Sequence, residues 1–243
     1  MSLSKERIKY LRKLQQKKYR QREGKFVVER WKNISAFLDK GYEPLEIWAM
    51  TPPPAGYKVA WQPVSAAELK RISALQNPYD ALAVFALPRP ERPRYQGLIL
   101  ALDGIADPGN LGTIIRTADW FGIRQIVCSP GTVDAYNPKT VQAAMGALAQ
   151  VNIHYTDLVA FLRQAPVPVY GTDMQGRPVF AFDWPRDLIV VMGNEGHGLS
   201  AEVKQVVAER LTIPGHRSAV AESLNVAVAS AVLMAEYFRY FHF

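Results

Sequence analysis

Six short, almost wholly apolar runs in the second half of the chain constrain its fold more than any other feature: Leu98–Leu102, Gln125–Cys128, Val151–His154, Val167–Tyr170, Leu188–Met192 and Leu211–Ile213. Helical patterns separate them, at Leu111–Phe121, near Thr140–Leu148, at Leu158–Gln164 and at Ala201–Ala208, and a long apolar helix begins near Ser223. A strand that is apolar on both sides needs cover on both sides. This alternation therefore predicts an α/β fold, a parallel sheet with helices on both faces. Ligands of such sheets bind in the loops beyond the carboxyl ends of the strands.

The first half reads as a smaller α/β domain. A basic helix is expected over residues 5–20, a strand at Phe26–Glu29 and a helix at Trp31–Leu38 ended by Gly41. Strands are expected around Glu46–Ala49 and Val59–Trp61. Ser65 and Glu68 form a capping box for a helix to about Ala74, and Leu82–Leu87 is a buried strand. Pro88-Arg89-Pro90-Glu91-Arg92-Pro93-Arg94 follows, where three prolines exclude a helix or a central strand. The expected domains are 1–88, a linker over 89–96, and 97–243.

Charge is divided as sharply as the hydrophobic pattern. Residues 1–32 hold 12 of the 29 Lys and Arg but 3 of the 22 Asp and Glu, leaving the rest of the chain slightly acidic. Such a block suits a polyanion, and nucleic acid is the expected partner. Ile8, Leu11 and Leu14 recur beneath the charges at helical spacing, so the helix docks by its apolar side and turns its cations outward. Lys13, Lys17, Lys18 and Arg20 are the candidate contacts to RNA or DNA. The single cysteine, Cys128, excludes an internal disulfide and sits in a strand pattern that favours core packing. No apolar run reaches membrane-spanning length, and the basic start lacks an apolar signal region; with a single cysteine, a reducing, cytoplasmic setting is the expected one. The four histidines show no metal-ligand spacing, and no metal is expected.

Three loops after strands carry polar residues and glycine together. The first is Asp103–Gly112, opening the helix that carries Arg116, with Asn110 either an N-cap or a site residue. It is neither a dinucleotide fingerprint nor a P-loop, which argues against a nicotinamide enzyme. The second is Gly193-Asn194-Glu195-Gly196-His197-Gly198, whose glycines let backbone approach a ligand closely. In the third, Ile213-Pro214-Gly215 leads to Glu222-Ser223-Leu224-Asn225, where a helix start offers unpaired N–H groups and Ser223 suits an N-cap.

Taken jointly, Asn110-x5-Arg116, Gly193–Ser200 and Ile213–Ala229 resemble the three motifs of the SpoU/TrmH-type RNA ribose methyltransferases of the SPOUT class, over roughly residues 97–240. The N-terminal part is similar, more loosely, to the substrate domain that precedes the catalytic domain in many members, and Arg30 stands where many of them have glycine. The resemblance implies a C-terminal trefoil knot, a homodimer, and methyl transfer from S-adenosylmethionine to a ribose 2′-hydroxyl. It implies structured ribosomal RNA as substrate before transfer RNA, with a non-catalytic RNA-binding or assembly factor of the same fold as the alternative. By position, Arg116 is the catalytic arginine, Asn110 its partner, and Glu195, Ser223 and Asn225 complete the polar cluster. Gly193, Ile213, Leu224 and Thr172 would hold the cofactor. A guanidinium with a pKa above about 12 is a poor base, so Arg116 is expected to clamp a phosphate and stabilise alkoxide charge. Glu195 would orient Arg116 or accept the proton.

Overall fold

The computed structural model describes residues 3–89, 91–216 and 218–242. The chain divides into two compact units, Met1–Arg89 with Asp134–Ala149, and Pro90–Val133 with Gln150–Phe243.

The N-terminal unit opens with α1 (Lys5–Lys13) and α2 (Lys17–Glu23) where one helix over 5–20 was expected. The break has a physical cause. Gln16 is extended, and the carbonyl that Leu14 frees at the end of α1 accepts from Arg20 Nη1 at 3.0 Å. Then come β1 (Lys25–Glu29), α3 (Trp31–Asp39), β2 (Pro44–Ala49), β3 (Gln62–Pro63), α4 (Ala66–Ile72) and β4 (Ala81–Ala86). The short β3 falls just past the expected Val59–Trp61. The sheet order is β1-β4-β2-β3, with β4 antiparallel to both neighbours. Alternation along β1 and β4 sends Val27 and Val84 to one face, against Ile8, Leu11 and Leu14 of the N-terminal helix and Leu69 and Ile72 of α4. Phe26 and Phe85 go to the other face, where they meet Phe37 of α3 in an aromatic cluster. Ser65 and Glu68 form the expected capping box.

The second unit begins with β5 (Leu98–Leu102), α5 (Pro108–Trp120) and β6 (Gln125–Cys128). The chain then contributes Asp134–Ala149, with α6 (Pro138–Ala144), to the first unit, although this stretch lies within the range read as the second domain. There Tyr136 packs edge-on against Phe26, and Asp134 accepts from Arg20 Nε at 3.1 Å. The remaining elements are β7 (Asn152–Tyr155), α7 (Leu158–Arg163), β8 (Val169–Pro178), β9 (Leu188–Met192), α8 (Ala201–Lys204), β10 (Glu209–Thr212) and α9 (Val226–His242).

All six strands are parallel, in the order β10-β8-β9-β5-β6-β7. The central pair, β5 and β9, runs in register from Leu98↔Leu188 to Leu102↔Met192, and every residue of both strands is buried. This is the doubly covered sheet that the apolar runs require. Cys128 is fully buried in β6, as read from its neighbours. Because β5, β9 and β10 point the same way, the three polar loops that follow them leave the same edge of the sheet. No helix among the described residues is long and apolar enough to cross a membrane.

Candidate active site

The loop after β5 enters α5 through Asp107, not Asn110. Asp107 is the N-cap, its Oδ1 accepting from Asn110 N at 2.8 Å, with Pro108 starting the helix. An Asp-Pro pair before a helical pattern is itself a start signal, and it was there in the sequence. Capping by Asp107 leaves the Asn110 amide free, and that amide points into the site.

The loop after β9 is closed by reciprocal backbone bonds of 2.9 Å between Asn194 and Gly198. Gly193 is what makes the closure possible, since a Cβ there would lie 2.3 Å from Gly198 C and 2.4 Å from Leu199 N. Asn194, which sequence reasoning passed over, organises the loop. Its Oδ1 accepts from Gly196 N at 2.9 Å, and its Nδ2 donates to Gly104 O at 2.6 Å in the first loop. Asp103 adds a second tie, accepting from Ser200 N at 2.8 Å.

The third loop ends at Asn225, which corrects the expectation for Ser223. Asn225 Oδ1 accepts from Ala227 N at 2.9 Å and Val228 N at 3.3 Å, so Asn225 caps α9, which starts at Val226. Ser223 lies exposed in the preceding loop.

One chain of side-chain hydrogen bonds joins the three loops. Asn225 Nδ2 donates to Asn110 Oδ1 at 3.0 Å, and Asn110 Nδ2 donates to Glu195 Oε1 at 3.0 Å. The amide orientations are determined from both ends. Capping α9 occupies the Asn225 oxygen and turns its nitrogen toward Asn110, while a carboxylate admits only the Asn110 nitrogen. Glu195 also accepts from Ala106 N at 3.1 Å and Asp107 N at 3.3 Å. Burial pushes its pKa up, but the bonds from Asn110, Ala106 and Asp107 outweigh that and hold it below the ordinary glutamate value. Glu195 is therefore an anion at neutral pH and a weak proton acceptor.

Arg116 does not join this network. It is exposed on α5, about 240° around the helix from Asn110 at ~100° per residue, and pairs with no carboxylate among the described residues. Glu195 does not orient it within one chain. The positions read as cofactor contacts are placed in two groups. Thr172 donates to Val191 O at 3.0 Å, tying β8 to β9 just before Gly193. Ile213, half-buried, and Leu224, 50 % exposed, bracket the loop after β10. Among the described residues, no group of three or more His, Cys, Asp or Glu is placed to hold a metal ion.

In the N-terminal unit the structure overturns one candidate. Arg20 is 2 % exposed, with its guanidinium donating to Asp134 and to Leu14 O, so it is a structural ion pair and not a surface for RNA. Lys17 and Lys18 are exposed and Lys13 is half-buried. Lys13 and Lys18, with Arg22, place their cationic ends 4.9–5.3 Å from the Tyr19 ring centre.

A parallel sheet whose carboxyl-edge loops are cross-linked by two amides and a carboxylate defines a class that comparison makes specific. Residues 97–235 match the SpoU rRNA Methylase family, and residues 5–83 match the MRM3-like substrate binding domain. The chain belongs to the SpoU rRNA methylase family. It is 35% identical over 167 residues to the 23S rRNA (guanosine(2553)-2′-O)-methyltransferase RlmP of Bacillus subtilis, covering 67% of this chain and 66% of that one. A TrmH-family structure from Porphyromonas gingivalis superposes with a TM-score of 0.88 at 40% identity, over 98% of this chain and 99% of that chain. The AdoMet-bound rRNA methyltransferase of Sinorhizobium meliloti superposes with a TM-score of 0.85 at 28% identity, over 99% and 97%.

Proposed function

We propose that this chain transfers a methyl group from S-adenosylmethionine to a ribose 2′-hydroxyl of ribosomal RNA. The observation that carries the reading is the Asn225–Asn110–Glu195 chain, which draws all three motif loops of the family into one site. The residues fit the cofactor. Ile213 and half-exposed Leu224 offer apolar surface, and Gly215, with nothing within 4 Å of a Cβ position, offers bare backbone. Gly193 and Thr172 fix the strand ends beside them. When bound, the cofactor supplies an electrophilic methyl on a sulfonium.

The protein's own task is to bring a weakly acidic hydroxyl into line and to meet the charge that develops on its oxygen. Arg116 suits that task as a permanent cation with a planar fork for the neighbouring phosphate. Glu195, ionised and already accepting three hydrogen bonds, fixes Asn110 and the entry to α5. The proton acceptor is then the Glu195 carboxylate through water, or bulk water itself. Ser223 and Asn225 line the rim of the same loop.

Arg116 reaches a site in this reading through a second copy of the chain. Trp120, four residues on along the same side of α5, is 83 % exposed, and Val228 on α9 is 51 % exposed. Apolar residues left bare on two helices that pack together support a homodimer face. A C-terminal trefoil knot and a cytoplasmic location complete the proposal; the motif resemblance supports the first, and the single cysteine the second.

Incorporation of labelled methyl into ribosomal RNA tests the activity. Arg116→Ala is expected to lower turnover by about 10²–10³ with cofactor affinity retained. Near-normal turnover in that variant removes Arg116 from the mechanism. RNA binding with no methyl transfer by the wild-type chain returns the protein to a non-catalytic RNA-binding role.

A further inference from the structure

Arg30 adopts φ 78° and ψ 133°, a backbone region that only glycine occupies without strain. The surroundings leave it no choice. Arg30 N donates to Ala81 O at 2.9 Å, its carbonyl accepts from Asn33 N and Ile34 N, and the next amide, Trp31 N, donates to Asp80 Oδ1 at 3.0 Å. Glycine would satisfy every one of these bonds without backbone strain, so the gain from arginine lies in its side chain.

That side chain carries its cation over an aromatic ring. Arg30 Cζ is 3.5 Å from the centre of the Tyr79 ring, and Arg30 Nε is buried with no hydrogen-bond partner among the described residues. Among the described residues the guanidinium makes no ion pair with a carboxylate, and Glu29 acts on it only through space. The neighbouring Glu29 carboxylate is taken by Ser73 Oγ and Ala74 N, and that of Asp80 by Trp31 N. These same bonds pin both ends of the Ser73–Asp80 turn that carries Tyr79. Tyr79 nonetheless remains 56 % exposed, with a cation over its ring. An exposed aromatic side chain backed by a guanidinium has the electrostatics of a nucleobase platform. The base stacks on the ring, and the cation draws in its phosphate.

We propose that Tyr79 and Arg30 form a stacking site on the N-terminal unit for an unpaired base of the RNA substrate. The proposal rests on the reading of this chain as an RNA methyltransferase, and it adds where the substrate is held outside the catalytic loops. The Lys and Arg excess of residues 1–32 supplies sequence-independent attraction; the platform adds a preference for single-stranded over duplex RNA.

The test titrates the full chain with a short single-stranded RNA carrying 2-aminopurine and, separately, with a duplex of the same length. Tyr79→Ala is expected to weaken single-strand binding about tenfold and to abolish the quenching of 2-aminopurine that stacking produces, while duplex affinity stays unchanged. Tyr79→Phe should keep both the affinity and the quenching. Arg30→Gly should weaken single-strand binding without lowering the melting temperature, which separates a binding role from a folding role. Equal single-strand affinity in wild type and Tyr79→Ala, or an equal loss on both RNAs, overturns the platform and leaves the methyltransferase reading intact. Failure of the wild-type chain to bind either RNA overturns both. A fall in melting temperature in both variants with RNA binding unchanged makes the pair a structural contact only.

Discussion

Replacing Gly193 by alanine perturbs the site by one methyl group at its tightest backbone contact. The φ of Gly193 is not in the left-handed region, so the cost is purely steric. The new Cβ would sit 2.3 Å from Gly198 C, 2.4 Å from Leu199 N and 2.7 Å from Gly198 O, where ordinary contact begins near 3.4 Å. Relief needs a displacement of about 1 Å, and the atoms in the way are backbone atoms that cannot rotate aside. Their segment is anchored by the Asn194–Gly198 pair, by Ser200 N on Asp103, and by Leu199, which is 3 % exposed. Overpacking of this kind costs up to about 3 kcal/mol. Alanine recovers up to about 1 kcal/mol by restricting the unfolded chain. The net expected loss is about 2 kcal/mol, or roughly 4–8 °C in the melting of the C-terminal unit. Gly196→Ala and Gly215→Ala are the matched controls: a Cβ at Gly196 comes no closer than 3.6 Å to Asn194 Oδ1, and at Gly215 it meets nothing within 4 Å. Calorimetry should show a lowered transition for Gly193→Ala and changes within about 0.5 kcal/mol for both controls. Titration with S-adenosylmethionine should show weakened binding in Gly193→Ala. Equal stability across all three variants, with Gly193→Ala binding the cofactor as tightly as Gly196→Ala, would refute the claim that this closure shapes the site.

Three further expectations follow from the same kind of reasoning. Glu195 has a folded-state pKa below its unfolded value, so its contribution to loop order is present above the unfolded value, about 4.3, and is lost only as pH falls through the folded one. Exchange protection of the Ala106 and Asp107 amides should therefore persist through the neutral and mildly acidic range; loss beginning well above the carboxylate range would show that Glu195 does not hold them. In the N-terminal unit, Asp134→Ala leaves the 2 %-exposed Arg20 as an unpaired buried cation and should cost about 3–5 kcal/mol in urea denaturation. Charge reversal at exposed Lys17 and Lys18 should leave stability unchanged and flatten the salt dependence of RNA binding; an unchanged salt slope would make those lysines a solubilising surface only.

What the sequence made legible follows from which forces act locally. The runs at Leu98–Leu102 and Leu188–Met192 are apolar on both faces, and they are the fully buried centre of the sheet. Ser65 and Glu68 interact over three residues, and their capping box is where the pattern put it. Arg20 was illegible because its partner, Asp134, lies 114 residues away; nothing in a run of cations tells which member finds a carboxylate across the fold. Ser223 was misread for a subtler reason. Serine and asparagine two positions apart are both good caps, and the choice fell to the residue whose spare nitrogen could also reach Asn110. The same reasoning bears on Arg116. Its motif spacing from Asn110 is a property of the sequence, yet six residues of helix put the two on different sides of α5, so proximity in the chain does not make them partners in one site. An arginine turned away from its own network, beside a bare tryptophan, makes sense when the surface it faces belongs to a second molecule. Mixing Arg116→Ala chains with chains carrying a disabled Glu195 loop separates the two geometries: activity recovered in the mixture requires sites built from two subunits, and none should return if Arg116 serves only its own.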